Sequence, residues 1–342
     1  MDDFWGKLYK RENIIETKGF KTIYKCKTVN EPSTTVTIKE YAIKQGEDSN
    51  NEKIKNLFER EINLLEELKK YCDKQNYSNF VAFKEKNQSI MNDRDENYYF
   101  IIREYCFTNL EELISTNNGK LEPGMIQLIM NQLNNALNIL RDKKIIHRNI
   151  KPTNILINYN EDDYYNIKLS GLNYYIKYKE NIPNNIPQLV KTDFHPKEFD
   201  NPGEKYDLYS IGALICFMYF GKFNENIIKE INKINDKDLK DLVEKCLQNE
   251  NNRISWNDYF NHTFFKKDYG NNDNNFDFDT MKNLFSDYKT YIDQMCEWSK
   301  DVQNLSREGK IEHFKSHYDE WDNIKKKLNE FFEFTEKANE KL

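Results

Sequence analysis

The longest apolar run in the chain, Leu208 to Phe220, sets the tightest limit on what it can fold into. A helix needs roughly 20 apolar residues to cross a bilayer, and this run is shorter and carries Ser210 and Gly212. It reads as a helix buried in a core. The 342 residues can supply that core, and length alone suggests two or three compact units. Hydrophobic residues at 38% and charged residues at 32% fit a water-soluble globular protein, with many Tyr and Phe adding core volume. The net charge of −6 is spread as mixed signs and no basic-aromatic platform stands out, which argues against nucleic acid as a partner. Cys26, Cys72, Cys106, Cys216, Cys246 and Cys296 show no C-x-x-C pairing and no nearby histidines, so free thiols in a reducing compartment are expected. The start, Met1-Asp2-Asp3-Phe4-Trp5, is acidic and lacks an apolar core, so no signal peptide and no membrane partner are expected, and the cytoplasm is the expected location. Asn-rich runs such as Asn271-Asn272-Asp273-Asn274-Asn275 read as compositional bias.

In chain order, strand-like alternation comes first. Phe20 to Cys26 and Val36 to Lys44 alternate, with the turn-prone Asn30-Glu31-Pro32-Ser33 between them. Ile54, Leu57, Phe58, Ile62, Leu65 and Leu68 then form the stripe of a helix over roughly Asn50 to Tyr71. Two further strands are expected over Asn79 to Ile90 and Tyr98 to Arg103. Leu110 to Ser115 opens the next part, and Pro123 starts a long helix striped by Ile126, Ile129, Met130, Leu133, Leu137 and Leu140. After an Asn/Asp-rich linker at 270–280, Met281, Leu284, Tyr288, Tyr291, Met295, Trp298, Val302 and Leu305 recur in alternating three- and four-residue steps, a heptad seam. Glu308-Gly309 reads as a turn into a second amphipathic helix, which makes 281–342 a helical hairpin of coiled-coil character.

The stretch Ile146-His147-Arg148-Asn149-Ile150-Lys151-Pro152-Thr153-Asn154 resembles the catalytic loop of eukaryotic protein kinases, H-R-D-x-K-x-x-N, with Lys151 resembling the serine/threonine type. Other motifs follow in the family's order. Tyr41-Ala42-Ile43-Lys44 looks like V-A-I-K, Glu61 is the candidate partner of Lys44, and Ile101 to Cys106 looks like the hinge that holds adenine. Lys168-Leu169 looks like the approach to D-F-G, His195-Pro196-Lys197-Glu198 like A-P-E, Tyr206 to Gly212 like D-x-W-S-x-G, and Arg253 lies in the family's closing motif. The resemblance covers about residues 10 to 268. It implies an α+β, bilobal protein-kinase fold: an N-lobe and hinge over 1–106 and a C-lobe over 107–269, with the hairpin appended. It also implies that Glu198 pairs with Arg253, that Asp207 braces the backbone at His147-Arg148, and that apolar columns run through Ile23, Ala42 and Leu156 and through Leu65, His147 and Leu172. Tyr174, Tyr175, Tyr178 and Thr192 fall in the segment that corresponds to an activation loop, with Arg148 as the cation for a phosphate.

The departures fall on the chemistry. Asn149 replaces the aspartate that accepts the substrate proton, and an amide has no basicity at neutral pH. Gly171-Leu172-Asn173 replaces D-F-G, so Gly171 stands where the principal Mg²⁺ ligand belongs. The three glycines of the phosphate loop fall at Glu16, Lys18 and Lys21, and the nearest glycine is Gly19. Arg103, just before the hinge, is expected to bond Glu61 or another acid and to fill the nucleotide site from behind.

The resemblance with these losses implies a pseudokinase: no catalytic residue in service, no metal, and no cofactor beyond ATP bound without metal. Its vestigial nucleotide site would be lined by Lys44, Glu61, Ala42, Ile23, Glu104, Cys106 and Leu156. It would act as a scaffold or allosteric regulator of other proteins, such as an active kinase or a complex docked through the hairpin. Two alternatives stand beside it: a divergent kinase or nucleotide-dependent transferase using Lys44, Lys151 and Asn154, and an interaction protein working through the hairpin.

Overall fold

The computed structural model describes residues 8–30, 34–43, 48–72, 79–88, 97–116, 120–159 and 165–269. Lys44, the linker and the expected C-terminal hairpin lie outside the described residues.

The first half forms an antiparallel sheet of five strands: β1 (Tyr9–Lys18), β2 (Lys21–Thr28), β3 (Thr35–Ile43), β4 (Phe83–Gln88) and β5 (Asn97–Glu104), in the order β1-β2-β3-β5-β4. β1 was not foreseen. Register shifts at Arg11/Asn13 and Ile14/Glu16 interrupt its pairing with β2, and such bulges erase the period of two that marks a strand. Gly19 takes a left-handed conformation (φ 59°) in the tight turn where Lys18 faces Lys21. One sheet face packs Tyr9, Tyr24, Cys26, Val36, Ile38, Phe100 and Ile102 together. Against the other lies α1 (Asp48–Cys72), whose Phe58 touches the rings of Tyr41 and Tyr99 edge-on and tilted.

The second half is mainly helical. After β6 (Thr108–Asn109) and α2 (Leu110–Thr116), α3 (Pro123–Asp142) buries Ile126, Ile129, Met130, Leu133, Leu137 and Leu140, the expected stripe, with Pro at its first turn where no N–H is missed. β7 (Ile145–Ile146) follows, then β8 (Ile155–Tyr159), β9 (Tyr165–Leu169) and β10 (Ile176–Lys177). β6, β8 and β9 form one small sheet, β10 and β7 another. The apolar run becomes α4 (Tyr206–Phe220), with Leu208, Ile211, Leu214, Ile215 and Met218 fully buried. Gly212 lets α6 (Lys237–Cys246) approach: a Cβ there would stand 2.7 Å from that of Cys246. α5 (Glu225–Ile228) precedes α6; α7 (Trp256–Phe260) and α8 (Thr263–Lys266) close the described chain. Among the described residues no helix is long and apolar enough to cross a membrane. A β-rich first lobe and a helical second lobe match the bilobal α+β architecture expected.

Candidate functional site

The chain leaves α3 through β7 and enters the loop at His147. Asp207, at the start of α4, accepts from the His147 N–H (2.7 Å) and the Arg148 N–H (2.9 Å), the expected brace. It holds Arg148 in the left-handed region (φ 65°), unusual for a residue with a Cβ. Burial pushes the Asp207 carboxyl up to about 6, against the pull of those two donors. His147 Nδ1 accepts from the Asn149 N–H (3.1 Å), so the ring proton sits on Nε2 and is donated to the Ser170 carbonyl (2.9 Å). Burial pulls this imidazole down to about 4. His147 is a neutral bracket in the core.

Asn149 is buried, and its Oδ1 has no hydrogen-bond partner among the described residues. The Asn154 side-chain amide donates to the Asn149 carbonyl (2.7 Å), and the Asn154 backbone carbonyl accepts from the Ser170 N–H and hydroxyl at 2.9 and 3.1 Å. Gly171, left-handed at φ 81°, lies against it: a Cβ there would sit 2.6 to 2.9 Å from the Nδ2, Cγ and Oδ1 atoms of Asn154. The amide thus fills the ground that any side chain at position 171 would need.

On β3 the structure corrects the sequence reading. The lysine paired with Glu61 among the described residues is Lys39, at 2.5 Å and with both side chains almost fully buried, whereas Lys44, the lysine expected there, lies outside the described residues. Tyr41 donates a second hydrogen bond to the same carboxylate oxygen. Burial drives the lysine down to about 8, against the attraction of Glu61, while Lys39 and Arg103 hold the Glu61 carboxyl below its ordinary value despite burial. Each partner thus favours the charged form of the other. Val36-Thr37-Ile38-Lys39 matches V-A-I-K as well as Tyr41-Ala42-Ile43-Lys44 does, with one change in four. The separation of the two lysines is odd, and side chains alternate faces along a strand, so the choice flips the assignment. Ala42 therefore faces away from Lys39, and Thr37 takes the place assigned to it. Ile23, opposite Lys39 in the β2–β3 ladder, shares its face.

Arg103 stands opposite Thr37 on β5 and is 5% exposed. The expected bond to Glu61 or another acid is absent: no ion pair or hydrogen bond to its side chain exists among the described residues, and its Nε is buried without a partner. Lys39 and Tyr41 have taken the Glu61 oxygen instead. The hinge glutamate Glu104 is occupied too, by Lys168 (3.2 Å), Asn158 (3.3 Å) and the Ala82 N–H (2.5 Å). Cys106 is half-buried, its thiol pushed up to about 12 by burial, and Leu156 on β8 is half-buried. Lys151 is half-buried at the cleft mouth, its ammonium destabilised by burial and then by Lys18 and Lys21.

Away from the cleft, Arg253 donates to Glu198 at 2.6 Å and to the Gln248 and Lys205 carbonyls, the pairing expected. Leu65 and Leu172 are buried with His147. In the segment after Asn173, Arg148 donates to the Tyr174 carbonyl (3.5 Å) and Arg60 to that of Tyr175 (2.6 Å), while Thr192 donates its N–H to His195. Tyr178 buries its hydroxyl.

The protein kinase domain model matches residues 19–265, most of the chain. The chain belongs to the protein kinase family. Relatives include a mimivirus sequence of Acanthamoeba polyphaga mimivirus named among the serine/threonine-protein kinases, 26% identical over 295 residues (74% of this chain, 62% of that protein). Serine/threonine-protein kinase atg1 of Dictyostelium discoideum is 26% identical over 288 residues (78% and 40%), and unc-51 of Caenorhabditis elegans 25% over 298 residues (77% and 32%). The chain thus spans less than two thirds of these relatives' own lengths. Kinase domains bind ATP, usually with a metal. The residues here do not fit that metal: position 171 has no carboxylate, and no three of His, Cys, Asp and Glu converge as ligands among the described residues.

Proposed function

We propose that this kinase domain does not transfer phosphate and works by binding other proteins, as a scaffold or allosteric regulator. The observation that carries the reading is the contact of Gly171 with Asn154, where the amide occupies the space a metal-holding carboxylate would need. Asn149 adds the loss of the base, and Glu16, Lys18 and Lys21 the loss of the phosphate loop. The test is a radiometric phosphotransfer assay with Mg²⁺ and with Mn²⁺, in which no turnover above background is expected. Turnover abolished by Lys39→Ala would overturn the proposal.

A second reading, a weak phosphotransferase, is favoured by the Lys39–Glu61 pair, which active kinases require. On this reading the same assay shows Lys39-dependent turnover.

A further inference from the structure

We propose that α1 is a fixed strut between the two lobes, fastened to the second lobe largely through backbone oxygens, and that it needs no phosphate on the segment after Asn173 to stay docked. The inference goes beyond the reading above and stands whether or not phosphate is transferred.

A helix of 3.6 residues per turn serves two neighbours when two stripes of its surface are both engaged. One stripe of α1, with Ile54, Leu57, Phe58, Glu61 and Leu65, is buried and meets the sheet through Phe58 and Glu61. Asn56, Arg60, Leu64 and Glu67 follow at steps of four, four and three residues and form a second stripe. Its polar members all reach the second lobe. Asn56 donates Nδ2 to the Asn185 carbonyl (3.0 Å), Arg60 donates Nη2 to the Tyr175 carbonyl (2.6 Å), and Glu67 accepts from Nζ of Lys143 (2.6 Å), just past the end of α3. Leu64, between Arg60 and Glu67, is buried. The contacts extend over about 16 Å of helix, at 1.5 Å per residue, so they fix its direction as well as its position. Arg60 and Glu61, neighbours in sequence, tie α1 to one lobe each.

The acceptors are themselves held. Tyr175 and Asn185 each precede a buried isoleucine, Ile176 and Ile186. Ile176 pairs with Ile146 of β7, and the Tyr178 N–H donates to the Lys144 carbonyl at 2.8 Å. Arg60 also lies over the Tyr175 ring, 4.7 Å from its centroid. Arg148 reaches the neighbouring carbonyl, that of Tyr174, so two guanidinium groups near enough to oppose each other's charge both end on backbone oxygens. Carboxylates already act at this corner, Asp207 and Asp200 on Arg148, and Glu180 and Glu67 on Tyr175. A backbone carbonyl is always present, whereas a phosphate comes and goes. The docked position of α1 therefore carries no such switch, and the two lobes present one rigid surface.

The test is hydrogen–deuterium exchange of the full chain, brought to a phosphate-free state with phosphatase and checked by intact mass. The amides of α1 and of Ile176, Lys177 and Tyr178 are expected to be protected in that state, at rates unchanged from the untreated chain. Arg60→Met removes a charge-assisted hydrogen bond and should speed exchange in both segments together by about tenfold, with α6 unchanged. A tenfold rise in both segments on phosphatase treatment, or an Arg60→Met chain in which either exchanges as before, overturns the strut. If Arg60→Met does not fold, Lys143→Met, which leaves α1 itself unaltered, gives the same reading: faster exchange in the last turns of α1 supports the strut, and unchanged exchange overturns it.

Discussion

At the scale of single residues, the difference between this chain and a phosphotransferase is a matter of volume as much as charge. Without a side chain at position 171, the Asn154 amide lies against the glycine while its Nδ2 donates to the Asn149 carbonyl. Gly171→Ala must hold a Cβ at φ 81° and push that amide aside, so a loss of about 2 kcal/mol is expected in urea unfolding. In an Asn154→Ala background the same change should cost clearly less, because the opposing atoms are gone. An equal cost in both backgrounds would mean that backbone conformation alone sets the penalty. Asn149 and Gly171 were legible in the sequence because their neighbours His147, Arg148, Lys168 and Leu169 fix the register. The Gly171–Asn154 closure was not, since nothing local tells an amide which way to relax.

At the scale of elements, β3 is where reading and structure part. Two tetrapeptides matched one motif equally well, and only α1 decides between them by placing Glu61 against Lys39 and Tyr41. Alternation gave the strand but not the face, because β3 is buried from Val36 through Tyr41 and shows no polar side. β1 was missed for the complementary reason, its bulges breaking the period. The helices were easier: α3 and α4 carry long stripes or a continuous apolar run. Glu61→Gln removes the charge that Lys39 and Arg103 share and leaves two buried cations facing a neutral amide. A loss of about 3–5 kcal/mol is expected by chemical denaturation. A loss below 1 kcal/mol would contradict a structural role for the Lys39–Glu61 pair. Arg253→Met should cost a comparable amount by stranding Glu198.

At the scale of the whole molecule, buried titratable groups set the response to pH. His147 and His195 are held neutral by burial, each at about 4 when folded and near 6.5 when unfolded. Between those values the unfolded chain binds more protons, so both contribute stability that is full above pH 6.5 and lost as pH falls toward 4. Asp207, raised to about 6 from an ordinary 3.8, acts in the opposite sense: the folded state takes up its proton first, which adds stability as pH falls through the same window. Two histidines outweigh one aspartate. Tm should therefore drop between pH 7 and 5, with a shallower drop in His195→Gln; a Tm that rises on acidification would contradict the balance.

The bilobal fold was legible as a whole because its motifs recur in order from the first strands to Arg253. The charge balance of the cleft was not, because it depends on which lysine faces Glu61. A cleft that offers a divalent ion no seat can be read directly by manganese electron paramagnetic resonance. With ATP and protein in excess, the Mn²⁺ spectrum is expected to stay that of Mn–ATP in solution. A broadened, protein-bound signal that disappears in Asn154→Ala would contradict it.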